Sequence, residues 1–212
     1  MKLSKVFFLF ATILIFTSCS NDKALRAKAN MLAHKFIITD GHIDTPWKLS
    51  KNYEDISLRT KTGDFDYIRA KEGGLDVPFM AVYIPSSYLE TGGAKEKADS
   101  LIDMVEQIAA KDPDKFEIAY SLADANRIFK EGKVALPMGM ENGAGIEDDI
   151  SNLKHFYDRG IRYITLTHSK DNLICDSSYD ESDDTWGGLS PGKIKRQYGK
   201  HFTTAFYSNA SC

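Results

Sequence analysis

His42 and Asp44 stand two residues apart in Thr39-Asp40-Gly41-His42-Ile43-Asp44-Thr45-Pro46, directly after the apolar run Phe36-Ile37-Ile38. A strand points residues i and i+2 to one side. An imidazole and a carboxylate so placed at a strand's end could grip one metal ion from one face, and both are ordinary zinc ligands. A His-x-Asp pair alone arises often by chance. Two further residues raise its weight: Glu141, in Met138-Gly139-Met140-Glu141-Asn142-Gly143, and His168, in Leu166-Thr167-His168-Ser169, each just after a later apolar run. Plain readings exist for each. Asp44 before Thr45-Pro46 could start a turn, Glu141 beside Asn142-Gly143 could be a solvated loop carboxylate, and His168 could be a histidine satisfied at a strand end. Dismissing all of them requires several independent coincidences of position, which favours one common site.

The elements that would carry these residues follow from periodicity. Lys23 to Lys35 is rich in good helix formers. The first strand is expected at Phe36 to Thr39, followed by a polar stretch, Lys51 to Gly63, that reads as a loop over the site. Phe65 to Lys71 predicts a short helix ended by Gly73-Gly74. Val77 to Ile84 is nearly all apolar, as suits a strand buried on both faces. Ala94 to about Ala110 keeps its apolar residues at helical spacing. Ser121 to Asp124 has the form of a capping box, opening a helix to Lys130 that Gly132 stops. Val134 to Met140 predicts a third strand. Ile150 to Arg159 predicts a helix with Leu153, Phe156 and Tyr157 on one side, and Ile161 to Thr167 a fourth strand. Alternation of this kind points to βαβ units and a parallel sheet. Each candidate site residue falls at the C-terminal end of a strand, where α/β barrels place their chemistry.

A net charge of -3 and a pI of 6.0 argue against a nucleic-acid partner, whose binders show a basic stripe. The hydrophobic content of 42% suffices for one packed core. The first residues stand apart from it: Lys2 and Lys5, the apolar run Val6 to Phe16, then Thr17-Ser18-Cys19. This is the layout of an export signal, with Cys19 where a bacterial lipobox places its lipidated cysteine. The alternative is a plain secretory signal cut nearby. Acyl chains on Cys19 would anchor the protein to a membrane surface of the cell envelope, at the outer membrane or the periplasmic face. Cys175 and Cys212 are expected as free thiols.

The phrases DGHIDTPW, IRAKEGGLDVPFMAVYIP, MENGAGIEDDISNLKHFYDRGIRYITLTHSKDN and WGGLSP resemble the membrane dipeptidase family, the renal-dipeptidase-like peptidases, from Thr39 to Pro191. The resemblance implies a metal-dependent-hydrolase-type (β/α) TIM barrel that hydrolyses dipeptides with a pair of zinc ions. Carried over by motif, His42 and Asp44 bind one zinc, Glu141 bridges both, and His168 contacts the substrate and stabilises charge on the attacked carbonyl. The residue types suit that chemistry: a bridging carboxylate holds two metals about 3.5–4 Å apart around a shared water, and a donor aimed at the oxyanion stabilises it further.

The family's second zinc needs two more histidines beyond the fourth strand, and its substrate site an arginine and a late aspartate. None stands here in a recognisable motif, and His201 follows no apolar strand. Roughly 190 residues follow the signal, against about 250 for a complete barrel. From Gly192 the tail departs from the family pattern. The expected organisation is therefore a signal over 1–19, an N-terminal half-barrel of about four βα units over 20–191, and an unmatched tail over 192–212. A frameshift near Pro191 would explain the tail, as would natural divergence or a partial sequence. Such a half-barrel should be inactive as it stands, and it could form a homodimer to cover its strand edges. Two other functions stay open: a metal-dependent amidohydrolase acting on another amide or a lactone, and a non-catalytic surface lipoprotein. Trp47, Tyr53 and Trp186 could line a pocket or serve as packing aromatics.

Overall fold

In chain order the elements are a helix over residues 22–35 (α1), β1 (Thr39–Ile43), α2 (Thr45–Lys51), α3 (Tyr67–Gly73), β2 (Val77–Tyr83), α4 (Tyr88–Thr91) and α5 (Ala94–Lys111). There follow β3 (Phe116–Ile118), α6 (Leu122–Lys130), β4 (Val134–Leu136), β5 (Met138–Glu141), a 3-10 turn (Gly143–Ile146), α7 (Ser151–Asp158) and β6 (Ile161–Thr165). This computed structural model describes residues 22–180; the signal with Cys19, and Trp186, His201, Cys212 and the tail from Gly192, lie outside the described residues.

A four-stranded parallel sheet in the order β1-β2-β5-β6 organises the chain. The apolar run of β2 places it between β1 and β5, as its two-sided hydrophobicity requires. One face of the sheet carries Met80, Val82 and Ile84 with Met138 and Met140, all fully buried against Ala98, Leu101, Ile102 and Val105 of α5 and Phe156 of α7. The alternating residues Phe79, Tyr83, Gly139, Glu141 and Tyr163 fall on the other face, where Phe79 and Tyr163 meet with ring centroids 5.6 Å apart. This is the α/β arrangement expected from the sequence, a partial (β/α) barrel with helices outside and the candidate residues at its C-terminal rim.

The third expected strand is divided. Pro137 has no N–H to give, and it separates β4 from β5. Along one edge both pieces follow β2, through Ala135 N to Asp76 O and Met80 N to Pro137 O. Along the other, β4 pairs with the short β3 while β5 pairs with β6. At three residues, β3 is too short for alternation to reveal it.

Strand one is displaced from its expected place. Ile38 is pinned at both ends by Asp76: its N–H donates to the Asp76 carboxylate at 3.1 Å, and its carbonyl accepts from the backbone N–H groups of Asp76 and Val77. The ladder begins only at Thr39, opposite Val77. Phe36 and Ile38 stay exposed, and His42 lies on the strand instead of after it.

The caps agree better. Ser121 accepts from the Asp124 N–H and opens α6, and Gly74, at φ 80°, closes α3. On α7, Phe156 is buried as expected, but Tyr157 is exposed, and its ring lies 4.4 Å from the Arg162 guanidinium. Cys175 is a buried free thiol, and burial pushes its pKa up.

Candidate metal centre

Three strand ends bring the four predicted residues together. His42 is the penultimate residue of β1, where the ladder is irregular between Asp40 and Ile43; the Asp40 carboxylate takes the His42 N–H at 3.0 Å. Asp44 occupies the N-cap position of α2 yet makes no capping hydrogen bond. Pro46 in the first turn offers no N–H to cap, and the Asp44 carboxylate lies toward His42. Glu141 ends β5, level with Tyr83 and Thr165 on its neighbours. His168 lies in the loop after β6.

The His42 Nε2 is 3.2 Å from one Glu141 oxygen and 3.3 Å from an Asp44 oxygen. The other Glu141 oxygen lies 3.4 Å from His168 Nε2. Glu141 thus stands between two imidazoles, with one oxygen toward each. Ligand atoms of His42, Asp44 and Glu141 all lie within 4.8 Å of one another, the one such convergence of three among the described residues. A nitrogen and two carboxylate oxygens form a donor set that suits zinc, so these side chains fit a metal ion. The Nδ1 of His168 is buried with no hydrogen-bond partner among the described residues.

The surrounding shell contains residues that sequence reasoning passed over. Tyr163 Oη lies 2.8 Å from His42 Nδ1. Burial, reinforced by the charges of Glu141, Asp44 and Asp40, pushes the Tyr163 phenol up to about 12, so it keeps its proton. Tyr83 is raised in the same way and packs edge-on against His168, with centroids 5.0 Å apart. Trp47 in turn meets Tyr83 edge-on at 5.1 Å, which makes it a packing residue at the border of the site, whereas Tyr53 is exposed. A tyrosine inside an apolar strand reads as core. The signal that could have singled out Tyr163 is Gly139, a glycine in mid-strand on the Glu141 face, which marks a close approach.

Asn142, the neighbour of Glu141 where a solvated loop is one reading of the sequence, is fully buried at φ 80° and ψ 110°. Its N–H donates to Thr165 Oγ1 and its side-chain amide to Ile84 O; its side-chain oxygen accepts from Ala144 N and from the Asn172 amide. Asn172 also holds Leu166 O, Ile174 N and Cys175 N. One network therefore ties the residue after Glu141 to the ends of β2 and β6 and to the loop carrying His168. The polar stretch Lys51 to Gly63, expected as a loop over the site, lies beside it: Glu54, Thr60 and Thr62 join Asp44, Trp47 and Lys48 around a cleft of about 550 Å³.

Comparison with known proteins identifies relatives of this chain. A dipeptidase of Schizosaccharomyces pombe is 32% identical over 179 residues, covering 77% of this chain and 44% of the relative. Dipeptidase ataJ of Aspergillus terreus is 28% identical, with 77% and 43% covered. The chain thus spans less than half the length of these curated relatives. Among solved structures, the probable dipeptidase PvdM of Pseudomonas aeruginosa superposes with a TM-score of 0.69 at 25% identity, over 80% of this chain and 45% of that one. The family model for membrane dipeptidase, peptidase family M19, matches residues 26–194, most of the sequence, and the chain belongs to that family.

Proposed function

We propose that this chain carries the first-metal half of a zinc-dependent dipeptidase site. The observation that supports it most is the convergence of His42 Nε2, Asp44 and Glu141 at the rim of the parallel sheet. In this reading His42 and Asp44 hold one zinc and Glu141 is the bridging carboxylate. Bound there, zinc would supply a Lewis acid and an activated water. His168, held against Glu141 and Tyr83, faces the dipeptide and donates toward charge developing on its carbonyl. Of the proposed ligands Asp44 lines the adjoining cleft, and the His42 and Asp44 side chains keep enough exposure for a substrate to approach them. Cys19 is the lipidated residue of an exported, membrane-anchored lipoprotein of the cell envelope, and residues 20–191 form the barrel portion.

Calorimetric titration of the chain with zinc tests the site. About one ion per chain should bind, and Glu141→Gln or His42→Ala should abolish binding; equal affinity in those variants would refute the assignment. With ligands for only one complete metal position among the described residues, the chain should hydrolyse dipeptides poorly even with zinc present. Brisk turnover would overturn that part of the reading. Incorporation of labelled fatty acid, lost in Cys19→Ala, tests the anchor.

A further inference from the structure

An imidazole that binds a metal through Nε2 must carry its proton on Nδ1, and whatever accepts that proton sets the plane and direction of the ring. His42 turns Nε2 to Glu141 and Asp44 and Nδ1 to the phenol of Tyr163, 2.8 Å away. Resting on the zinc reading above, we infer that Tyr163 is the positioning residue for His42, and that Gly139 is required because it admits the tyrosine ring.

Such a role usually falls to a carboxylate, a backbone carbonyl or a water. A phenol differs in that its hydroxyl both accepts and donates. It can therefore donate to a bare Nδ1 when the metal site is empty and accept from Nδ1–H when it is filled, without moving. The ring is fixed from three sides. Phe79 lies against it at 5.6 Å between centroids, and the His42 ring lies 6.3 Å away at an interplanar angle of 29°. On the strand beside it there is no room for any side chain: a Cβ on residue 139 would fall 2.0 Å from Tyr163 Cζ and 2.1 Å from Cε1. Gly139 and Glu141 share a strand face, so the glycine that seats the tyrosine and the carboxylate that shares its histidine are set by one strand, β5.

The test pairs zinc affinity with a direct reading of the ring. Tyr163→Phe keeps the ring and loses the hydroxyl; it should weaken zinc binding by about 10–100-fold while the melting temperature of the metal-free chain stays near that of the parent. In the zinc-loaded parent, ¹⁵N spectra of the His42 imidazole should show the proton on Nδ1, in a hydrogen bond that Tyr163→Phe removes. Gly139→Ala should weaken zinc binding in the parent but add little in a Tyr163→Ala background, since the clash is with the ring. If the parent binds zinc, His42→Ala does not, and Tyr163→Phe binds within about twofold of the parent, the positioning role falls and the zinc site stands. If the parent itself binds no zinc, the metal reading falls and takes this role with it.

Discussion

Asn142 offers the sharpest test of how the site is held. It is a non-glycine residue at φ 80° and ψ 110°, fully buried, with its side chain in three hydrogen bonds to Ile84 O, Ala144 N and the Asn172 amide. Each such bond is worth about 0.5–1.5 kcal/mol net, so truncation to alanine removes about 3 kcal/mol. Alanine also tolerates this backbone conformation less well than asparagine, which adds about 1 kcal/mol. Glycine loses the same three bonds but adopts the conformation freely. Asn142→Ala should therefore cost about 4 kcal/mol and Asn142→Gly about 3 kcal/mol. For a domain of this size the alanine variant should melt about 8–16 °C lower. Urea denaturation of the metal-free chain, followed by circular dichroism, reads both. An alanine variant within about 1 kcal/mol of the parent would show that the network contributes little; a glycine variant less stable than alanine would refute the backbone argument.

Phe156 is fully buried between the sheet and α5, so Phe156→Ala should cost about 3–5 kcal/mol, measured by the same denaturation; a loss below about 1 kcal/mol would mean that the site collapses without a cavity. The hydrogen bond from Lys111 Nζ, at 2.6 Å, together with those from Ser57, holds Asp55 at about 2, below its ordinary 3.8. A depressed folded-state pKa stabilises fully above the unfolded value, and that contribution is lost as pH falls through the folded one. Asp55→Asn should therefore flatten the decline in melting temperature between pH 3.8 and about 2. An unchanged slope would assign that decline to other carboxylates.

The sheet was legible because its strands are unambiguous in composition: Val77 to Tyr83 is apolar on both faces, and α5 keeps a clean helical stripe from Ala94 onward. The four candidate residues were legible because their types are costly to place together without a purpose, and three of them do converge around Glu141. What escaped has a common physical cause. The shift of β1 depends on Asp76, a residue 38 positions from Ile38 in the chain, and no local pattern reports such a tether. α2 does carry a start signal in Asp44 and Pro46, but the same residues also fit a turn. Tyr163 and Tyr83 look like strand packing, and only their neighbours across the sheet reveal them as part of the site. The role of Asn142 escapes local pattern because its hydrogen bonds run to Ile84 and Asn172, 58 and 30 positions away.

The proline between β4 and β5 carries a consequence for how this scaffold can change. Because Pro137 hands the outer edge from β3 to β6, those two strands never compete for the same stretch of backbone. The level of Glu141 is fixed by β2 and β6 alone, through its pairing with Tyr83 and Thr165. A change in how β3 pairs with β4 would leave those two pairings untouched. The edge formed by β3 can thus vary while the carboxylate at the centre of the site keeps its height in the sheet.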